Sequence, residues 1–159
     1  MSDKIRGFSP VFDENSRVLI LGSFPSVKSR RISFYYGNKQ NRFWPMLERY
    51  FGESAGLDAA QRKAFVLRHG IALWDIVVAC TIQGSADASI RDAELADLDE
   101  VLRAAPIRRI LLNGGTAYSL FCRRYEDIPI PYQKLPSTSP ANPRYREDAW
   151  IEALDLIFS

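Results

Sequence analysis

The sequence predicts an α/β fold in which helices cover both faces of a parallel sheet. Short apolar runs rich in valine, leucine and isoleucine alternate with amphipathic segments along the chain, and such alternation is typical of repeated β-α-β units. The runs end in glycine, proline or small polar residues, as buried strands do where they enter a tight loop. With 159 residues, of which 47% are hydrophobic and 25% charged, the chain fits a single domain over residues 1–159.

Two strands and two helices are predicted in the first half. RVLILGSFPS (17–26) predicts a buried strand that ends at its Gly-Ser pair. NRFWPMLERYFG (41–52) predicts a helix, because its apolar residues share one side and a glycine follows them. DAAQRKAFVLRHG (58–70) predicts a second helix, with an aspartate cap at its start and a glycine at its end. IALWDIV (71–77) predicts the second buried strand and the loop that follows it.

The second half continues the alternation. DAELADLDEVLRAAP (92–106) predicts an amphipathic helix that ends before its proline, with an apolar stripe of Leu95, Leu98, Val101 and Leu102. RRILLNGG (108–115) predicts a third strand and TAYSLFCRRY (116–125) a helix. IPYQKLPSTSP (130–140) predicts a fourth strand with its loop, and PRYREDAWIEALDLIF (143–158) the closing helix.

Ligands of such sheets bind beyond the carboxyl ends of the strands. The loops predicted there are GSFPS, WDIVVACTIQGSAD, NGG and PSTSPAN. None contains GxxxxGKS/T or GxGxxG, so a phosphate-cradling nucleotide fold has no support. NGG (113–115) could hold an anion, but a tight strand-to-helix turn is the favoured explanation. Asp75 is the only acid directly at a predicted strand end, which disfavours a two-metal nuclease.

The residue inventory excludes several classes of enzyme. His69 is the only histidine, and Cys80 and Cys122 lie 42 positions apart, so zinc sites, four-cysteine iron–sulfur sites and Ser-His-Asp triads are disfavoured. We therefore expect no zinc or iron–sulfur site and two reduced thiols. The start of the chain lacks the apolar core of a signal peptide, and no apolar run approaches the ~20 residues of a membrane span. We expect a cytoplasmic protein without a membrane segment.

Charge is distributed unevenly. Residues 15–47 contain no acid and six basic residues, whereas residues 87–100 contain six acids and one arginine. This polarity suits a polyanion bound by one face, but a solvated asymmetry without a partner explains it equally well.

Four segments together resemble the uracil-DNA glycosylase superfamily, especially its hypoxanthine-DNA (DNA-deoxyinosine) glycosylase branch. They are LGSFPS (21–26), YYGNKQNRFWP (35–45), GIALWDIVVACTIQGSADASI (70–90) and LPSTSPAN (135–142). The resemblance implies a monomeric three-layer α/β/α sandwich with a central four-stranded parallel sheet. It also implies an enzyme that flips a deaminated base out of DNA and hydrolyses its N-glycosidic bond without metal or cofactor.

Two positions depart from the pattern of the superfamily. Phe24 stands where many members carry an Asp or Asn that orients the attacking water, and Leu135 stands where many carry His or Asn. Both departures match the hypoxanthine branch better than the uracil branches. In that branch a catalytic asparagine follows the first motif, and the matching residue is Asn38. The plain alternative for Asn38 is a turn asparagine.

The same resemblance suggests a base pocket. Its candidate residues are Ser23, Phe24, Tyr36, Trp74 and Asn41, although core packing is the alternative for each aromatic. Asn41 is better explained as the N-cap of a helix that begins at Arg42. Phe43 and Trp44 are expected in the core, because they lie on the apolar side of that helix.

DNA contacts are expected from two further groups of residues. Lys28, Arg30, Arg31 and Arg144 are candidates for phosphate binding, as are the hydroxyls and amides of Ser137, Thr138 and Ser139. Pro140 or Ala141 could wedge beside the flipped nucleotide. Ser85 and Asp87 could contact the strand or only close a loop.

The sequence leaves rival functions open. Hypoxanthine in DNA is the preferred substrate, with uracil or another deaminated base as the alternative. The rival function is that of a non-catalytic DNA-binding relative. The loss of the water-orienting residue at Phe24 favours this rival, whereas the presence of the matching asparagine, Asn38, argues against it. A small-molecule α/β hydrolase is disfavoured, because no histidine partner is available for a serine.

Overall fold

The computed structural model describes residues 4–25, 29, 34–81 and 90–158. Its strands are β1 (Ile5–Arg6), β2 (Val18–Gly22), β3 (Ile71–Asp75), β4 (Val77–Thr81), β5 (Arg91–Leu95), β6 (Arg109–Asn113) and β7 (Tyr132–Leu135). Its helices are α1 (Phe43–Phe51), α2 (Ala59–Arg68), α3 (Asp99–Leu102), α4 (Gly115–Tyr125) and α5 (Glu147–Phe158). Among these described helices, none is long and apolar enough to cross a membrane.

A four-stranded parallel sheet forms the centre of the fold, in the order β3-β2-β6-β7. Every residue of β2 and β3 is buried, as expected for parallel strands covered on both faces. The four predicted strands and the predicted central sheet are therefore confirmed.

The register of the sheet brings the ends of its strands together. Gly22 at the end of β2 pairs with Asp75 at the end of β3, and Asn113 at the end of β6 pairs with Leu135 at the end of β7. Since all four strands are parallel, these residues lie along one edge of the sheet, which we call the carboxyl edge.

Helices cover both faces of the sheet. The connections from β2 to β3 and from β6 to β7 run in opposite directions along the sheet order, so right-handed crossovers place α1 and α2 on one face and α4 on the other. Helix α5 joins α1, because the Trp150 ring meets Phe43 edge-on at 6.2 Å and the Phe158 ring meets Phe51 at 5.5 Å. The result is a three-layer sandwich.

Local signals set the helix ends as predicted. Gly52 ends α1 in the left-handed conformation, with a φ of 64°. Asp58 caps α2 through a capping box with Gln61. The start of α1 differs from the prediction, because Arg42 is its N-cap and the first helical residue is Phe43. Helix α5 begins at Glu147, four residues later than the predicted start of the closing segment.

The helix predicted over 92–106 is wrong in its first half. Residues 91–95 form β5, which pairs antiparallel with β4, and β4 pairs with β1 in a second, three-stranded sheet. Only α3 remains helical in this segment, with Leu98 and Val101 fully buried. The apolar spacing was real, but pairing with β4 satisfies the backbone of residues 91–95 and overrides it.

Candidate active site

A cavity of about 640 Å³ opens at the carboxyl edge. Its walls come from the segments that follow each central strand: residues 22–25 after β2, Asp75 of β3, residues 113–116 after β6 and residues 137–142 after β7. Residues of the segment 35–41, before α1, complete the wall. The cavity therefore lies where a parallel sheet places its ligand, and its volume is in the usual range of ~300–1,000 Å³ for small-molecule sites.

The polar side chains of the cavity are hydroxyls, carboxamides and one carboxyl group. Of the described residues that line it, four are asparagines, namely Asn38, Asn41, Asn113 and Asn142, and one is a carboxylate, Asp75. None of these lining residues is a histidine, lysine or arginine. Within the described parts of the chain, no group of three or more His, Cys, Asp or Glu residues could hold a metal ion. The cavity thus offers neutral hydrogen-bonding groups and one carboxyl group.

The segment before α1 is fixed by aromatic packing. The Tyr35 hydroxyl donates to the Ser9 carbonyl at 2.8 Å, and Trp44 Nε1 donates to the Tyr35 carbonyl at 3.0 Å. Tyr36 has a φ of 53°, an uncommon conformation for a residue with a bulky side chain. Its ring stacks on Phe43 at a centroid distance of 4.1 Å. Packing therefore holds Tyr36 against the cavity at some cost in backbone strain.

Asn38 combines the two roles considered from the sequence. Its Oδ1 accepts from the Gln40 backbone N–H at 3.0 Å, and its carbonyl accepts from the Asn41 N–H at 2.8 Å, so it is a turn asparagine. It also lines the cavity. Because Oδ1 is engaged by the backbone, the Nδ2 group is the end of the carboxamide that is a donor toward other partners.

Asn41 lies one position before the N-cap of α1. Its Oδ1 accepts from the Phe43 N–H at 2.9 Å, so the side chain satisfies a helix N–H as predicted, although the cap position belongs to Arg42. Asn41 also lines the cavity. Phe43 and Trp44 are buried, as expected.

Asp75 and Tyr36 crowd against the end of β2. A Cβ atom on Gly22 would lie 2.6 Å from Asp75 Oδ1 and 3.1 Å from the Tyr36 hydroxyl oxygen. Glycine is therefore needed at position 22 for both groups to reach this wall. Burial, followed by the neighbouring Asp75 carboxylate, raises the pKa of the Tyr36 hydroxyl, so this group stays protonated at neutral pH.

The loop after β7 is tied to the end of β6. Asn113 Nδ2 donates to Thr138 Oγ1 and Asn113 Oδ1 accepts from the Thr138 N–H, both at 3.0 Å. The side chain of Thr138 is only 1% exposed, so its hydroxyl is not available for the phosphate contact expected from the sequence. Thr138 is a structural anchor of this loop.

The other expected site residues divide into four groups. Ser23, Phe24, Ser137, Ser139 and Pro140 line the cavity, although Phe24 is also part of the core. Trp74 does not line it, because this residue lies within β3, paired with Leu21, and is 5% exposed. Arg144 is exposed beside the cavity loop. Lys28, Arg30, Arg31, Ser85 and Asp87 lie outside the described residues.

Three residues were not assigned to the site from the sequence. Asp75 was visible as an acid at a strand end, and Asn113 as the polar residue before a glycine pair. Arg42, at the start of α1, contacts the loop after β7. No local pattern marks the role of Arg42, because its partners lie far away in the sequence.

Comparisons with known proteins agree with this fold and show the family. The family model of the uracil DNA glycosylase superfamily matches residues 9–155. A Methanosarcina acetivorans protein named hypoxanthine DNA glycosylase is 36% identical over 149 residues, covering 91% of this chain and 94% of the relative. A Methanosarcina barkeri protein of the same name is 35% identical over 159 residues, covering 94% of this chain and 98% of the relative.

A solved structure shares the fold of this chain. It is a solution NMR structure from Methanosarcina acetivorans, described as a candidate uracil DNA glycosylase. It matches with a TM-score of 0.80 and 37% identity, covering 94% of this chain and 96% of that chain. Every segment that lines the cavity falls within the matched residues 9–155.

Proposed function

Because the chain belongs to the uracil DNA glycosylase superfamily, we propose that it excises hypoxanthine from deoxyinosine in DNA, using the cavity at the carboxyl edge as its active site. The protein is a DNA glycosylase. The proposed substrate is supported by two relatives that are named hypoxanthine DNA glycosylases and are 36% and 35% identical. The observation that carries the proposal is the cavity at the carboxyl edge, whose polar side chains are hydroxyls, carboxamides and the single carboxyl group of Asp75.

The walls of the cavity suit a flipped base. Phe24 and Tyr36 offer aromatic surface, which recovers part of the few kcal/mol spent on unstacking and unpairing a nucleotide. Hypoxanthine pairs less well than a normal base, so extruding it costs less than extruding adenine. The shape and aromatic walls of the cavity therefore favour a damaged base.

Asn38 is the proposed catalytic residue. Since its Oδ1 accepts from the Gln40 N–H, its Nδ2 group is the donor for the carbonyl oxygen at position 6 of hypoxanthine. This bond strengthens as negative charge develops on the departing base. Adenine carries an amino group at the same position, which cannot accept from Nδ2, so the same contact discriminates against the normal base.

Asp75 is the residue proposed to act on the sugar. Cleavage of an N-glycosidic bond passes through a state in which positive charge develops on the sugar. The Asp75 carboxylate, at the cavity wall, stabilises that charge. The donor Asn38 and the acceptor Asp75 thus act on opposite charges of one transition state.

The DNA backbone is bound by the rim of the cavity. Ser137 and Ser139 are proposed to contact phosphates, and Pro140 to lie beside the flipped nucleotide. Arg144, Lys28, Arg30 and Arg31 are proposed to add phosphate contacts. All groups named here come from one chain, so we propose that the enzyme acts as a monomer, and in the cytoplasm.

An excision assay tests this proposal. Labelled duplexes that contain hypoxanthine, uracil or adenine at one position are incubated with the protein, and abasic sites are then cleaved with alkali. We expect cleavage at hypoxanthine and none at adenine. Cleavage at uracil alone would show that the substrate is wrong. If no duplex is cleaved, the result would favour the rival function, a non-catalytic DNA-binding relative.

The variant Asn38→Ala tests the catalytic assignment. Removing one preorganised donor to a developing negative charge is expected to lower the single-turnover excision rate by about 100-fold or more. The matched control is Asn15→Ala, an exposed asparagine in a turn before β2, which should keep the wild-type rate. If Asn38→Ala keeps nearly full activity while Asn41→Ala loses it, the catalytic role belongs to Asn41.

A further inference from the structure

The side chain of Arg42 donates hydrogen bonds to the backbone carbonyls of one loop. Its Nε donates to the Thr138 carbonyl at 3.4 Å, and its Nη2 donates to the Ser139 carbonyl and, at 2.8 Å, to the Asn142 carbonyl. The Arg42 backbone N–H donates to the Thr138 carbonyl as well, at 3.1 Å. Three carbonyls within five residues therefore converge on a single guanidinium group.

No acid neutralises this guanidinium within the described parts of the chain, where Arg42 forms no ion pair. Its plane lies over the ring of Tyr145, 4.3 Å from the ring centroid. The planar fork of arginine presents several donors in a fixed geometry, which a lysine cannot reproduce. Stacking and hydrogen bonds thus hold the group in one orientation.

The position of Arg42 joins the two parts of the proposed site. It lies four residues after Asn38 and at the N-cap of α1, whereas its partners belong to the loop of residues 137–142, which also lines the cavity. Asn113 holds this loop through Thr138 alone. The carbonyls of Ser139 and Asn142 are held by Arg42.

We propose that Arg42 is a positioning residue, which fixes the loop of residues 137–142 against the Asn38 segment so that the loop is ordered before DNA binds. This inference rests on the proposed function, because it assigns the loop to DNA binding. Arg42 acts through the loop and not by touching a phosphate. Preordering removes the entropic cost of fixing the loop at the moment of binding.

Hydrogen exchange of the free protein tests the positioning role without any activity. In Arg42→Met, which keeps an apolar stem but no donors, the backbone amides of residues 137–139, 141 and 142 should exchange about tenfold faster than in the wild type. Amides of β2 and β6 should keep their wild-type rates. Unchanged exchange in the loop would overturn the proposal, and so would faster exchange throughout the sheet, because Arg42 would then serve general stability.

Binding and kinetics then separate positioning from direct phosphate contact. In Arg42→Met the KM for deoxyinosine duplex should rise about tenfold while kcat stays nearly unchanged. This is the pattern expected when a variant loses binding energy equally in the ground state and the transition state. The slope of log K against log salt should equal that of the wild type, whereas the contrast variant Arg144→Met should lower it by about 0.9. Arg42→Lys, which keeps the charge, should resemble Arg42→Met.

Restored binding in Arg42→Lys, or a slope lowered by about one in Arg42→Met, would show a phosphate contact and overturn the proposal. If the wild type excises no base, the proposed function fails. The dissociation constant of undamaged duplex then replaces KM, and the exchange result still decides whether Arg42 positions the loop.

Discussion

Thr138 shows that a hydroxyl in a polar loop need not face a ligand. Its hydroxyl and its N–H are paired with the Asn113 carboxamide, at 3.0 Å each, and the residue is buried. Thr138 lines the cavity together with Ser137 and Ser139, but its hydroxyl is engaged by Asn113. One residue thus fixes the loop while its neighbours present their groups to the substrate.

The variant Thr138→Val tests this division of roles. Valine has a similar shape but no hydroxyl, so Asn113 Nδ2 loses its acceptor in a buried place, and we expect a loss of about 1–2 kcal/mol in the free energy of unfolding. The salt dependence of DNA binding should stay unchanged, because no phosphate contact is lost. Urea unfolding and binding titrations measure the two quantities.

Thr81→Val is the matched control for this change. The Thr81 hydroxyl donates to the Arg91 carbonyl at 3.2 Å on an exposed part of β4, so its loss should cost much less. If Thr138→Val lowered the slope of log K against log salt, the Thr138 hydroxyl would contact a phosphate, which would contradict its burial.

At the same scale, the sequence predicted which residues surround the cavity better than what each one does. Asn38, Ser23 and Phe24 line it as expected, because each lies in a short segment next to a strand end or helix start. Trp74 and Thr138 do not fit their predicted roles. Whether a side chain faces a cavity or the core depends on neighbours from other segments, and those neighbours cannot be identified from local sequence.

At the scale of helices, α5 is attached to α1 at both ends. Trp150 packs against Phe43, and Arg49 of α1 makes two hydrogen bonds to Glu147 at the start of α5. The hydrogen bonds from Arg49 hold the pKa of Glu147 below its ordinary value. Since α1 begins directly after the Asn38 segment, this attachment also supports the cavity wall.

Glu147→Gln is expected to lower the free energy of unfolding at pH 7 by only about 0.5 kcal/mol, because the pair is partly exposed and screened. The pKa of Glu147 is lower in the folded state than in the unfolded chain. Its contribution is therefore present above the unfolded value of about 4.3 and is lost as the pH falls through the folded value.

Urea unfolding of wild type and variant at pH 7 and at about pH 3 checks this pH dependence. Glu152→Gln, an exposed glutamate on the same helix, is the control and should match the wild type at both pH values. If the difference in the free energy of unfolding between wild type and Glu147→Gln grew toward acid pH, the lowered pKa of Glu147 would be contradicted.

The segment 91–102 shows the limit of periodicity at this scale. Its apolar residues recur at helical spacing, yet residues 91–95 form β5 and only Asp99–Leu102 is helical. The unpaired edge of β4 decides the outcome, because a strand in that place completes the three-stranded sheet. Helical spacing in a short segment cannot predict such pairing.

For the whole molecule, charge polarity and the position of the cavity together predict a binding face. The basic stretch of residues 15–47 includes the segment that walls the cavity, and the acid-rich stretch of residues 87–100 contains β5 and the start of α3. We predict that the basic residues of the first stretch steer DNA toward the cavity.

Replacing Lys28, Arg30 and Arg31 together by glutamine tests the electrostatic part of DNA binding. If each contacts one phosphate, the slope of log K against log salt should fall by up to about 2.7. Binding of undamaged and deoxyinosine-containing duplexes should weaken equally, because phosphate contacts carry no base specificity.

The control variant removes three positive charges near the amino ends of the central strands. Arg103, Arg108 and Arg123 are exposed and lie near the start of β6 or the end of α4. Glutamine at these positions should change the slope much less. An equal change in both triple variants would indicate a general effect of net charge instead of a binding face.

The sequence by itself determined the alternation of strands and helices, the parallel sheet and the segments that meet at its carboxyl edge. These follow from periodicity, turn residues and short motifs, which are properties of neighbouring positions. Only the tertiary structure decided that Thr138 is an anchor, that residues 91–95 form a strand, and that Arg42 holds the loop after β7. The partners of Arg42 lie 96 to 100 positions away in the sequence, and hydrogen bonds over that separation exist only once the sheet has brought its ends together.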